Sequence, residues 1–136
     1  MQSEPFHFRL TPREVERVDT KHRRIVTPIP SPGTKEIMER IARVESSNAM
    51  DQLPLIWDHA KGHQIFDRYG NAWIDFSSTI FVTNCGHAHP HLVEAIKGQA
   101  EKLCHAYTYP TEIRARYLEK LASFVPPYLP KVSLFS

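Results

Sequence analysis

The stretch LPLIWDHAKGHQIFDRYGNAWIDFSS, residues 53–78, constrains the fold more than any other part of the chain. Its three apolar runs are too short for helices and are separated by AKGH and RYGN, each carrying a glycine. Short apolar runs bounded by turn residues read as strands, and Asp67-Arg68-Tyr69-Gly70-Asn71 has the composition of a tight reversal. The expectation is a three-stranded antiparallel meander. The remaining elements must pack around it or lead away from it.

On the N-terminal side, TPREVERV opens with Thr11, Pro12 and then Glu14, which is capping-box chemistry and predicts a short helix. TPIPSPG follows, and its alternating prolines withhold backbone donors, predicting an extended connector or arm. From Thr34 the apolar residues Ile37, Ile41 and Val44 fall at helical spacing. Beyond the meander, Pro90 suits a first helical turn, and Leu92, Ile96 and Leu103 continue a stripe. A second helix begins near Thr111, with Ile113, Tyr117, Leu121 and Phe124 on one face until PPYLP. KVSLFS then reads as a strand entered from a helix, the opening of a βαβ pattern whose sheet neighbours the sequence does not supply. A strand so placed predicts that this is the first part of a longer chain.

The 136 residues are 41% hydrophobic and 24% charged, as for a soluble globular protein, with a formal charge of +2. The basic residues are scattered except at Lys21-His22-Arg23-Arg24, so nucleic acid is not an expected partner. The N-terminus has no secretory pattern and no run approaches a membrane span, which predicts a cytoplasmic protein. Cys85 and Cys104 are expected to be free thiols, mostly buried.

NCGHAHPHL, residues 84–92, gathers a cysteine and three histidines. Together with Cys104, the residues Cys85, His87 and His89 offer zinc-type ligand atoms and would make a small metal-binding or interaction module. The spacing argues for a structural corner instead. Gly86 permits a tight bend, His87 and His89 hydrogen-bond the turned backbone, and Pro90 sets the angle at which the helix leaves.

The run GHQIFDRYGNAWIDFSSTIFVTNCGHAHPHLVEAIKGQ closely resembles the N-terminal region of class III aminotransferases, pyridoxal-phosphate enzymes of fold type I. The resemblance extends from about Thr11 to the end of the chain. It is carried by Asp67, Gly70, Asn71, Asp75, Gly86-His87, His89-Pro90, Gln99 and His105. The early TPREVERVDTKHRRIVTPIP looks like the arm of a 4-aminobutyrate aminotransferase-like group.

The resemblance implies an α/β fold: an arm and Pro-rich connector over 1–33, a small segment with helix and meander over 34–85, and from 86 to 136 the start of a large, mainly parallel-sheet domain. It implies a transaminase that moves an amino group from an amine or ω-amino acid to a 2-oxo acid through pyridoxal 5'-phosphate. In the family, the phosphate-binding turn, the aspartate at the pyridinium nitrogen and the cofactor-bearing lysine all follow the strand that KVSLFS resembles. On that reading the chain is an N-terminal portion that does not catalyse alone, and its parent is a homodimer or higher homo-oligomer.

By the same resemblance Ile80 borders the substrate, and Tyr107 and Tyr109 belong to a segment reaching the partner subunit's active site. Thr79 stands where the family commonly has glycine, and a β-branched residue there restricts the backbone and crowds the entrance.

Overall fold

The structure, a computed structural model, describes residues 8–45, 53–129 and 131–134. The chain divides into two compact units, residues 1–92 and 93–136.

The first unit is built on an antiparallel sheet of five strands in the order β1-β2-β5-β4-β3. The expected meander supplies β4 (Gln64–Phe66) and β5 (Ala72–Ile74), but its first strand, β3 (His59–Lys61), falls largely on the expected separator AKGH and not on the apolar run before it. Lys61 pairs with Gln64 and Ala60 with Ile65, so only Gly62 and His63 close the first hairpin. Gly62, at φ 58°, supplies the positive φ that so short a connection favours. Gln64 pairs with Ile74 and Phe66 with Ala72 across the longer second turn.

The other strands come from the arm. β1 (Val18–Asp19) and β2 (Arg24–Ile25) form a hairpin, and Arg24 pairs with Ala72 to join it to the meander. The helix expected at TPREVERV is not formed. Arg13 instead exchanges two backbone hydrogen bonds with Ile29, at 3.0 and 2.9 Å. A helix this short is marginal in water however well it is capped, whereas extended chain here gains ladder bonds to an existing sheet edge. The Pro-rich connector is non-helical, as expected, but it bends at Thr27 and Pro30 and turns at Pro32-Gly33, and Pro30 and Ser31 are buried.

Ile25, Ile65 and Ala72 form the apolar core, where β2, β4 and β5 meet. Beside it lie the buried polar residues Ser31, Thr34, Asp67 and Asn71. α1 (Thr34–Ala42) leaves Gly33, which caps it at φ 84°. Its stripe is covered only in part: Ile37 is half-buried, while Ile41 and Val44 are exposed. After β5, the four-residue turn α2 (Ser78–Phe81) is left-handed throughout, with φ of 49°, 53°, 59° and 65°.

α3 (Pro90–Ala100) begins at the end of the first unit and continues in the second, which also holds α4 (Glu112–Ala122). Thr111 caps α4, its side chain accepting from the Arg114 amide at 3.3 Å. Ala95, Gln99, Leu103 and Ile113 line a cleft between the two helices. Both helices stand where the periodicity places them, but Ile96, Leu103, Ile113, Tyr117 and Phe124 are exposed. Residues 131–134 form no strand, and the rest of KVSLFS, Phe135 and Ser136, lies outside the described residues. Among the described residues no helix is long and apolar enough to cross a membrane.

Candidate functional site

Two polar constructions hold the first unit's loops. The first centres on Asn71, whose side chain is fully buried. Its Oδ1 accepts from the amides of Val26 (2.7 Å) and Thr27 (3.2 Å). Its Nδ2 donates to Thr27 Oγ1, Ser31 Oγ and Asp67 Oδ2 at 2.7, 3.0 and 2.7 Å. Asp67 Oδ1 accepts from the amides of Tyr69 and Asn71, closing the turn, and Oδ2 accepts from the Ser31 hydroxyl at 2.6 Å. Burial pushes the Asp67 carboxyl up, but the hydrogen bonds from Ser31, Asn71 and Tyr69 outweigh it and hold the group below its ordinary value.

The second is the corner at residues 84–90. Gly62 and His87 exchange backbone hydrogen bonds of 2.9 and 2.8 Å, so the corner docks on the β3–β4 turn. Gly86, at φ 90°, approaches so closely that a Cβ there would stand 3.2 Å from Gly62 Cα. His87 Nε2 lies 2.8 Å from Asp75 Oδ2, with the side chains only 12% and 4% exposed. Asp75 Oδ1 accepts from both the amide and the hydroxyl of Ser77, at 2.9 Å each. The hydrogen bond from His87 is the largest influence holding the Asp75 carboxyl below its ordinary value; burial opposes it and Ser77 assists. Trp57 meets the His87 ring edge-on, centroids 6.4 Å apart.

The corner forms rather than the metal module, but by other bonds than expected: the His87 ring engages the Asp75 carboxylate and not the turned backbone. His87 has one ring nitrogen engaged by Asp75, and His89 is exposed. Among the described residues no group of three or more His, Cys, Asp or Glu side chains gathers as a metal site. Cys85 and Cys104 are free, as expected, but both are exposed rather than buried.

Ile80 lies on the left-handed turn, 81% exposed, and with Thr79, Ile37, Ile41, Leu55 and Trp57 it lines an open groove of about 580 Å³. It is therefore not a core residue. Thr79 occupies this turn at φ 53°, a backbone region that favours glycine, which is a physical reason for glycine to suit the position. Tyr107 and Tyr109 belong to the second unit, in the loop between α3 and α4, and both rings are exposed. Tyr107 is also left-handed, at φ 51°, and its ring lies 6.2 Å from that of His105. Sequence reasoning did not single out Trp57 as a groove residue; a large aromatic ending the first apolar run of the meander was the available signal.

A family model described as aminotransferase class-III matches residues 45–135. The acetylornithine aminotransferase of Methanosarcina mazei is 48% identical over 71 residues, covering 52% of this chain and 18% of that protein. The alanine/serine racemase of Pyrococcus horikoshii is 35% identical over 123 residues, covering 88% of this chain and 26% of its own length. Among solved structures, an acetylornithine aminotransferase from Elizabethkingia anophelis superposes with a TM-score of 0.62 at 28% identity, over 67% of this chain and 24% of that one. The chain belongs to the class III aminotransferase family, and its mixed α/β arrangement corresponds to the N-terminal portion of that fold. It spans between about a fifth and a quarter of the length of these relatives.

The lysines at positions 61, 97, 102, 120 and 131 are exposed. Lys97 reaches Glu94 at 2.9 Å, and Lys120 lies over the Phe124 ring. None of them has the buried, enclosed setting in which a lysine carries a cofactor, so the described residues do not build a cradle for pyridoxal phosphate.

Proposed function

We propose that this chain is part of a pyridoxal-phosphate-dependent transaminase that moves an amino group from an amine or ω-amino acid to a 2-oxo acid. The observation that carries the reading is the family match over residues 45–135. The matched residues Asp67, Asn71, Asp75, Gly86 and His87 are here the ones that make the turn hub and the corner. When bound, the cofactor would supply an electron sink for the reacting carbon of the amino donor. This chain's contribution is to shape the entrance. Ile80 borders the donor's side chain within the apolar groove, and Tyr107 and Tyr109 reach the partner subunit's site in a homodimer working in the cytoplasm. The segment from residue 86 opens the cofactor-binding domain, with 1–33 as arm and 34–85 as the small segment. The arm follows the 4-aminobutyrate aminotransferase-like pattern.

The test is to express the complete coding sequence with pyridoxal phosphate and screen amine and ω-amino acid donors against pyruvate and 2-oxoglutarate. The expected result is bound cofactor absorbance with transfer of the amino group to the 2-oxo acid. A complete protein that binds no cofactor and moves no amino group overturns the reading. In the active enzyme, Ile80→Ala is expected to change donor KM several-fold with kcat little altered, since it removes binding surface and no reacting group. Unchanged KM for every donor would remove Ile80 from the entrance.

A further inference from the structure

His22, in the β1–β2 turn, and His63, in the β3–β4 turn, are 41 residues apart in sequence, yet His63 Nε2 lies 3.0 Å from His22 Nδ1. Both side chains are exposed, and their rings are tilted at 54° with centroids 4.9 Å apart. In the bare protein one ring donates to the other. The corner meets His63 through its backbone carbonyl, and the groove does not use this pair.

The backbones beneath the rings are fixed by other bonds. Thr20 closes the β1–β2 turn by exchanging amide and hydroxyl bonds with Arg23, at 2.9 to 3.0 Å. Gln64 Nε2 donates to the His22 carbonyl at 2.9 Å, and the His63 carbonyl accepts from the Asp75 amide at 2.8 Å. Both imidazoles thus stand on pinned turns of one sheet, and only their side-chain torsions need to adjust to aim two nitrogens at one point.

We propose that His22 and His63 form a two-histidine chelate for a single divalent transition-metal ion, copper(II) ahead of nickel(II). Imidazole nitrogens bind such ions at about 2.0–2.1 Å. Two nitrogens that already approach to 3.0 Å need little side-chain movement to enter the coordination shell of one ion. Copper(II) leads nickel(II) in the affinity order of nitrogen donors. With no third protein donor gathered among the described residues, water completes the shell. Lys21, Arg23 and Arg24 flank the site, but they are exposed and solvent screens their repulsion. The site does not depend on the transaminase reading.

The experiment titrates Cu²⁺ alone into the metal-stripped full chain and into His22→Gln, His63→Gln, the double variant and the control His91→Gln. The expected result is one equivalent of tight binding with a two-nitrogen electron paramagnetic resonance signature. Each site variant should weaken it about tenfold or more, the double variant little further, because a chelate is lost once. His91→Gln should leave it unchanged. Losses that are small and additive, or equal for His91→Gln, mean independent surface imidazoles and overturn the proposal. On the unsubstituted chain, Cu²⁺ should protect His22 and His63 from diethyl pyrocarbonate in preference to His91; uniform protection overturns it equally.

Discussion

Asn71 fills all its donor and acceptor capacity within one residue's reach of the arm, the connector and the turn it belongs to. Alanine there would strand the Val26 amide and remove a donor from a buried carboxylate together. Buried groups left unpaired cost about 1–3 kcal/mol each, so Asn71→Ala is expected to destabilise the first unit by about 3 kcal/mol or more. Urea unfolding of the parent protein, compared with an exposed control such as Arg68→Ala, reads this directly. Acid dependence belongs to the same residues. Asp67 and Asp75 both sit below the ordinary carboxylate value when folded, so between the folded and unfolded values the unfolded chain binds more protons. Their contribution is therefore complete above the ordinary value of 3.8 and is lost as pH falls through the folded values. Asp75→Asn should flatten this acid limb in a plot of unfolding midpoint against pH; an identical limb would show that the Asp75–His87 bond does not survive in solution. The sequence marked Asp67 and Asn71 as turn chemistry, which is correct for the Tyr69 and Asn71 amides. It could not reveal the long-range half of the hub, since Ser31 and Thr27 look like any polar residues among prolines.

At the level of elements, local signals succeeded where the structure is local and failed where a distant partner decided. β4 and β5 fall on their own apolar runs, β3 lies just beyond its run, and α4 needs only its threonine cap and stripe. The capping-box segment has equally good local chemistry, but Ile29 offers Arg13 a pair of backbone bonds that no local rule contains. The left-handed turn was likewise hidden, because serine, threonine, isoleucine and phenylalanine are all poor residues for positive φ. That mismatch yields a prediction. A non-glycine residue in the left-handed region costs roughly 1–2 kcal/mol, and glycine's greater freedom in the unfolded chain takes back roughly half. Thr79→Gly should therefore stabilise by about 0.5–1 kcal/mol. Gly86→Ala should do the opposite, by about 2 kcal/mol, since it combines φ 90° with a Cβ 3.2 Å from Gly62 Cα. Thermal melts of the two variants against the unsubstituted protein should move in opposite directions.

For the whole molecule the decisive fact is how little apolar surface is covered among the described residues. Among the described residues, the first unit encloses a core of three apolar side chains, Ile25, Ile65 and Ala72, supported by a polar hub that fixes geometry without adding hydrophobic drive. In the second unit, Leu103, Ile113, Tyr117 and Phe124 are all exposed on or beside α3 and α4. Helical periodicity correctly announced that each helix has a face to bury; it carried no information on what buries it. A soluble monomer rarely presents so many large apolar residues together. The 136-residue chain studied alone is therefore expected to bind a hydrophobic dye and to associate as its concentration rises. Replacing Ile96 and Ile113, exposed by 59% and 50%, with glutamate should reduce both effects while leaving the helical circular dichroism signal in place. In the transaminase proposed above those same substitutions should do harm, because further residues of the family fold would cover the faces there. A chain that stays monomeric and melts cooperatively without them would mean that α3 and α4 find cover within these 136 residues.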